Sequence, residues 1–201
     1  MTRIISGTAG GRRLATPRGD GTRPTTDRAR EALFSRLAAM TEIDEAWALD
    51  LYAGSGAFGL ELASRGATRV LCVESNRAAS QVIQRNARDL ELPMVKVAAE
   101  KVLRVLERGP AEGGFDHPER PGADIILADP PYPLSEAEVA DVIAAIVAHG
   151  WLAPDGVFVL ERSTRSPGPE WPEGWAAVAS PAYGETTLHF AQRESDGEVA
   201  P

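Results

Sequence analysis

Three short segments hold residue types whose spacing suggests chemistry. The first is Asp129-Pro130-Pro131-Tyr132, directly after the apolar run ADIILA. A carboxylate beside a prolyl carbonyl makes an acceptor pair that can bond both N–H groups of one amine. Such a pair suits an exocyclic amine on a nucleobase. The lone pair of that nitrogen is delocalised into the ring and has to be turned toward an electrophile. The prolines fix the backbone and remove competing donors. Tyr132 offers a ring on which an extruded base stacks. The competing interpretation is a rigid turn that caps a strand.

The second segment is LDLYAGSGAFG at 49–59, in which Gly54, Gly56 and Gly59 satisfy G-x-G-x-x-G. Glycines between a strand and a helix let the backbone approach a ligand at the helix N-terminus. Asp50 stands four residues before Gly54. A carboxylate there would repel a pyrophosphate and suits a cation, such as the ammonium and sulfonium of S-adenosylmethionine. The third segment is Glu74, which closes the run RVLCVE 20 residues after Gly54. An acid at that strand end accepts both hydroxyls of an adenosine ribose; the alternative is a surface acid opening the next turn.

These segments need a frame that brings strand ends together. From residue 46 apolar runs alternate with helical periodicity. Strands are expected at 46–52, 69–74, 94–98, 123–128 and 156–161. Helices are expected at 58–65, 76–90, 100–107 and 135–149. The runs at 175–179 and 186–191 read as two closing strands that form an antiparallel edge hairpin. Alternation of this kind implies a mostly parallel sheet with helices on both faces, and ligands then sit at the carboxyl ends of the strands. Upstream, 3–6 and 12–16 are expected to pair as a short hairpin. Thr25 or Thr26 would cap a helix through Met40. Residues 109–122 and 163–174 read as loops, the first a surface insertion or a mobile one.

Together, the glycine loop, the Glu74 strand end and DPPY resemble class I S-adenosylmethionine-dependent methyltransferases acting on an amino nitrogen. RIISGTAGGRRL at 3–14 and RPTTDRAREALF at 23–34 narrow the resemblance. They are similar to the RsmD family of bacterial 16S ribosomal RNA guanine-N2 methyltransferases, from about Arg3 to Arg193. DPPY alone is shared with DNA and protein amino-methylases.

The resemblance implies an α/β, Rossmann-like fold: a mostly parallel seven-stranded sheet with its last strand antiparallel. A basic N-terminal hairpin and helix at 1–40 would precede a methyltransferase domain at 41–193, with a disordered tail at 194–201. The implied activity is 16S rRNA (guanine(966)-N(2))-methyltransferase, acting on the RNA or on the small ribosomal subunit, without a metal. Asp129, Pro130, Pro131 and Tyr132 would hold the target amine. Asp50, Tyr52, Gly54, Gly56 and Glu74 would line the cofactor site. One departure stands out: where such enzymes often place Asp or Asn against the adenine amine, this chain has Val97-Ala98-Ala99-Glu100. Either Glu100 or backbone groups near Ala99 take that part.

Charge separates along the chain. Its 201 residues carry a net −8, yet residues 1–36 hold eight arginines against three acids, or +5; the rest hold 13 basic and 26 acidic residues, or −13. A basic arm on an acidic body is what an end that meets phosphates requires. Arg3, Arg12, Arg13, Arg23 and Arg28 are the candidate RNA contacts; a solvated terminus is the bland alternative. A single cysteine, Cys72, excludes a disulfide framework. No apolar run reaches the roughly 18 residues of a membrane span, and the expected location is the cytoplasm. Two rival functions remain: a DNA adenine-N6 or other amino-methyltransferase, and a non-catalytic RNA-binding assembly factor.

Overall fold

The computed structural model describes residues 2–17, 27–115, 120–131 and 134–194. Tyr132, Arg23, Thr25, Thr26 and all but the first residue of the expected tail lie outside them. Helix α1 spans Asp27–Met40, and β1 (Trp47–Leu51) leads into α2 (Ala57–Ser64). Next come β2 (Arg69–Val73), α3 (Arg77–Asp89), β3 (Val95–Ala98) and α4 (Val102–Glu107). A short α5 (Pro110–Gly113), β4 (Ala123–Ala128), α6 (Glu136–Ala148) and β5 (Leu152–Ser163) follow. The chain closes with β6 (Trp175–Ala179), β7 (Ala182–Tyr183) and β8 (Thr186–Arg193).

The sheet runs β3-β2-β1-β4-β5-β8-β6, and the two-residue β7 pairs with β8. Strands β1 to β5 are parallel. The last strand, β8, is antiparallel to β5 and to β6, inserted between them. Seven strands on the main path with an antiparallel last strand match the expected architecture; β7 is an addition. Strand order reverses between β1 and β4, which opens the crevice where such sheets bind ligands.

Period-two alternation divides the strand residues between two cores. Ala48, Cys72, Ile125, Leu127, Val157 and Val159 face one layer, against Phe34 of α1, Leu60 of α2 and Ile83 of α3. Leu49, Leu51, Ile126, Ala128, Phe158 and Leu160 face the other, against Leu106 of α4 and Ile143 and Ile146 of α6. Two helix starts are fixed by their own side chains. Asn76 accepts from the amides of Ala78 and Ala79 at the head of α3. Ser135 and Glu138 form a reciprocal capping box at the head of α6.

Three features depart from the sequence reading. The expected N-terminal hairpin forms, with the Arg3–Arg13 bridge flanked by bonds from the Ile4 amide to the Arg12 carbonyl and from the Leu14 amide to the Thr2 carbonyl, but it does not stand apart. Ile4, Ala9 and Leu14 are buried in the same core as Phe34. Glu61 of α2, wholly buried, accepts from the amides of Ile5 at 2.6 Å and Ser6 at 3.0 Å. Arg65 completes the clamp, donating to Glu61 at 2.8 Å and lying over the Phe34 ring. Second, 109–122 is not merely a surface insertion. Its Phe115 is fully buried between Trp47 and Trp151, with ring centroids 6.0 and 5.9 Å away. Third, β5 starts four residues earlier than its apolar run, because Leu152 pairs with Ala123 before the register shifts. Among the described residues no helix is long and apolar enough to cross a membrane.

Candidate active site

The turn from β1 into α2 is built on left-handed backbone: φ is +61° at Tyr52, +56° at Gly54 and +78° at Gly56. A side chain at Gly56 would collide with Ile83 at 2.9 Å, whereas a Cβ at Gly54 would find nothing closer than 3.9 Å. The loop therefore packs on α3 at Gly56 and faces open space at Gly54. Glu74, at the end of β2, accepts from the Gly54 amide at 2.9 Å and from the Asn76 amide at 2.6 Å. The glycine loop and the β2 acid are thus one hydrogen-bonded unit.

Asp50 occupies a different position from that of a surface cation ligand. Its side chain is 1% exposed beneath the loop. Oδ2 accepts from the Gly59 amide at 2.8 Å, one of the free donors of the first turn of α2. Oδ1 is buried without a hydrogen-bond partner among the described residues. Burial raises its pKa to about 7; the Gly59 hydrogen bond opposes this and the Glu74 charge adds to it. Asp50 positions the loop and carries a latent negative charge below it. Tyr52 is half-buried at the same rim, and burial, then the Glu138 charge, push its phenol up to about 12.

Asp129 leaves β4 next to β1, its amide on the Leu51 carbonyl at 3.3 Å. Burial drives its carboxyl well above the usual range, with further contributions from the charges of Glu161 and Asp50. Pro130 is buried and Pro131 exposed. The Pro131 carbonyl accepts from the Leu134 amide at 2.8 Å, which turns the chain into α6. Asp129, Pro130, Tyr52, Gly54, Gly56 and Glu74 thus share the carboxyl rim of β1, β2 and β4, as their strand-end positions predicted.

The remaining candidates are dispersed. Glu100, beyond β3, is held by Arg108 in a two-pronged pair at 2.7 and 2.9 Å, while Ala99 is exposed beside it. Arg3, Arg13 and Arg28 are exposed on the arm and α1. Arg12 is exposed too, with its guanidinium on the Asp89 carbonyl at the end of α3. Arg30, on the same helix as Arg28, is 1% exposed and donates to the Arg3 carbonyl at 2.6 Å. Arg162, on β5, is buried and pairs with Glu136 of α6. Among the described residues no three acid, His or Cys side chains gather as metal ligands would.

Sequence reasoning missed Glu61 and Glu161. Glu61 is an acid inside the otherwise apolar helix AFGLELAS, a pattern that demands a buried partner. Glu161 closes the apolar run GVFVLE just as Glu74 closes RVLCVE. That parallel was the available signal.

The strand order, the glycine turn after β1, the acid after β2 and the Asp-Pro-Pro after β4 define a Rossmann-like class I methyltransferase fold. The family described as "Conserved hypothetical protein 95" matches residues 2–192, and the chain belongs to it; this is the RsmD family. Several curated relatives carry the name Ribosomal RNA small subunit methyltransferase D. The protein from Escherichia coli K12 is 35% identical over 98% of this chain and 92% of its own length. The one from Haemophilus influenzae is 30% identical over 94% and 93%. A solved structure of a putative methyltransferase, yhhF, from Escherichia coli superposes with a TM-score of 0.81 at 30% identity, covering 97% of this chain and 99% of that one.

Proposed function

We propose that this chain is a small-subunit ribosomal RNA methyltransferase that transfers a methyl group from S-adenosylmethionine to the exocyclic N2 of one guanine, position 966 of 16S RNA. The observation that supports this reading is the Asp129-to-Leu51 backbone bond, which brings Asp129 and Pro130 beside the glycine loop. The names of the relatives supply the substrate class.

The residues present fit a cationic donor. Asp50 keeps a buried oxygen without a partner among the described residues, and its field and that of Glu161 reach Asp129. A pyrophosphate would meet repulsion from these carboxylates; a sulfonium meets attraction. S-adenosylmethionine, when bound, supplies a methyl group already activated by the positive sulfur. Glu74, fixed by the Gly54 and Asn76 amides, retains lone pairs for the ribose hydroxyls. Backbone groups at Ala99 take the adenine amine, since the Glu100 carboxylate is engaged by Arg108.

Asp129 and the Pro130 carbonyl accept the two N2–H groups and turn the nitrogen lone pair toward the methyl. As the N–C bond forms, the bond from the methyl carbon to sulfur would break and the neutral thioether S-adenosylhomocysteine would leave, and the nitrogen must shed one proton. In its ionised form Asp129, whose proton affinity burial raises, receives it. Tyr132 stacks on the base, and Arg3, Arg12, Arg13, Arg23 and Arg28 meet phosphates of the RNA or the assembled subunit. The arm and α1 act as the RNA-binding extension of the domain at 41–193, and the substrate implies a cytoplasmic location.

Mass mapping of methylated guanines in 16S RNA from cells lacking this protein tests the reading. The expected result is loss of a single N2-methylguanine. An unchanged map overturns it, and transfer of labelled methyl to duplex DNA instead would establish the DNA-adenine alternative.

A further inference from the structure

We propose that Glu161 reads the identity of the target base, its carboxylate accepting the N1–H of guanine beside the N2 amine held by Asp129. The inference rests on the guanine-N2 reading above. Strands β4 and β5 are parallel with Ala128 opposite Leu160, so Asp129, one residue past the end of β4, stands beside Glu161, which β5 carries two residues short of its own end at Ser163. Alternation sets them on one face of the sheet, two residues beyond Leu127 and Val159, which share a core. The charge of Glu161 acts directly on Asp129, second only to burial in raising its proton affinity. Asp50 contributes from the same face, with its unpartnered Oδ1.

Adjacent strands are about 4.8 Å apart. That spacing suits acceptors for two donors on neighbouring atoms of one base edge. Guanine presents such a pair, N1–H next to the N2 amine. Adenine and cytosine present a ring acceptor next to their amines, which a second carboxylate would repel. Asp129 and Pro130 therefore hold the amine, and Glu161 decides which base may offer it.

The test uses small subunits reconstituted with RNA carrying guanine or 2-aminopurine at the target position. 2-Aminopurine keeps the 2-amine and lacks the N1–H. The wild-type protein is expected to favour guanine by about 10- to 100-fold in kcat/KM. Glu161→Ala is expected to lose that factor on guanine and little on 2-aminopurine, so the preference collapses. Glu161→Gln, whose amide oxygen still accepts, retains most of it. S-adenosylmethionine affinity by calorimetry stays unchanged in both. If the alanine variant fails to bind the cofactor, Glu161→Asp replaces it; its retracted carboxylate gives an intermediate preference. Equal losses on the two bases, or no preference in the wild type, overturn the role of Glu161. Absence of any N2-methylguanine product with the wild type sinks the function itself instead.

Discussion

Single side chains at the β1–β4 rim divide orientation from support. In the proposed reaction Asp129 is an orienting acceptor, so Asp129→Ala is expected to lower methyl transfer about 100- to 1,000-fold while cofactor affinity changes less than about threefold; an equal fall in both would show a binding role instead. Asp50 is a supporting residue with a pH signature. Its carboxyl titrates near 7 when folded, against 3.8 for the ordinary group. Between those values the native state holds a proton that the unfolded chain has released, so stability falls as pH rises from about 4 to about 7. The effect is on the order of a few kcal/mol. Thermal melts of Asp50→Asn are expected to drop less between pH 5 and 8 than those of the wild type. Asp129 titrates in the same sense and leaves a residual slope; identical slopes would mean that Asp50 titrates normally.

The elements that matter most for function are α2 and the arm it holds. Strand β1 delivers the glycine turn, and α2 begins where Asp50 catches the Gly59 amide. The same helix grips the arm from its far side: Ser64 accepts from the Ala9 amide and donates to the Ser6 carbonyl. Gly7 passes so close that a Cβ would lie 1.8 Å from the Ser64 carbonyl oxygen. One helix thus couples the glycine turn to the basic arm. Glu61→Ala strands the Ile5 and Ser6 amides and unpairs Arg65, an expected cost of about 2–4 kcal/mol. Hydrogen exchange should quicken at residues 4–9 first. Unchanged protection there would show that the arm is held by Ile4 and Leu14 packing alone.

For the whole molecule, charge asymmetry bears on the proposed encounter with RNA. An acidic body repels phosphates, and the exposed Arg3 and Arg13 offer the attractive end. Replacing either with alanine is expected to weaken binding to small-subunit RNA and to reduce the log–log salt slope by about 0.7 to 0.9. An unchanged slope removes that arginine from the phosphate contacts. Sequence alone determined the alternating frame, because a β-strand buried on both faces reads as an apolar run, as in Ile125-Ile126-Leu127-Ala128. It also determined the rim: an acid ending such a run can only emerge at the carboxyl edge, which made Glu74 and Asp129 legible. Tertiary structure decided what spacing cannot express. Glu61 and Asp50 became internal supports, and Phe115 an anchor, because burial depends on partners distant in the chain. Only the parallel register of β4 and β5 brought Glu161 beside Asp129, since strand pairing sets neighbours that no local pattern encodes.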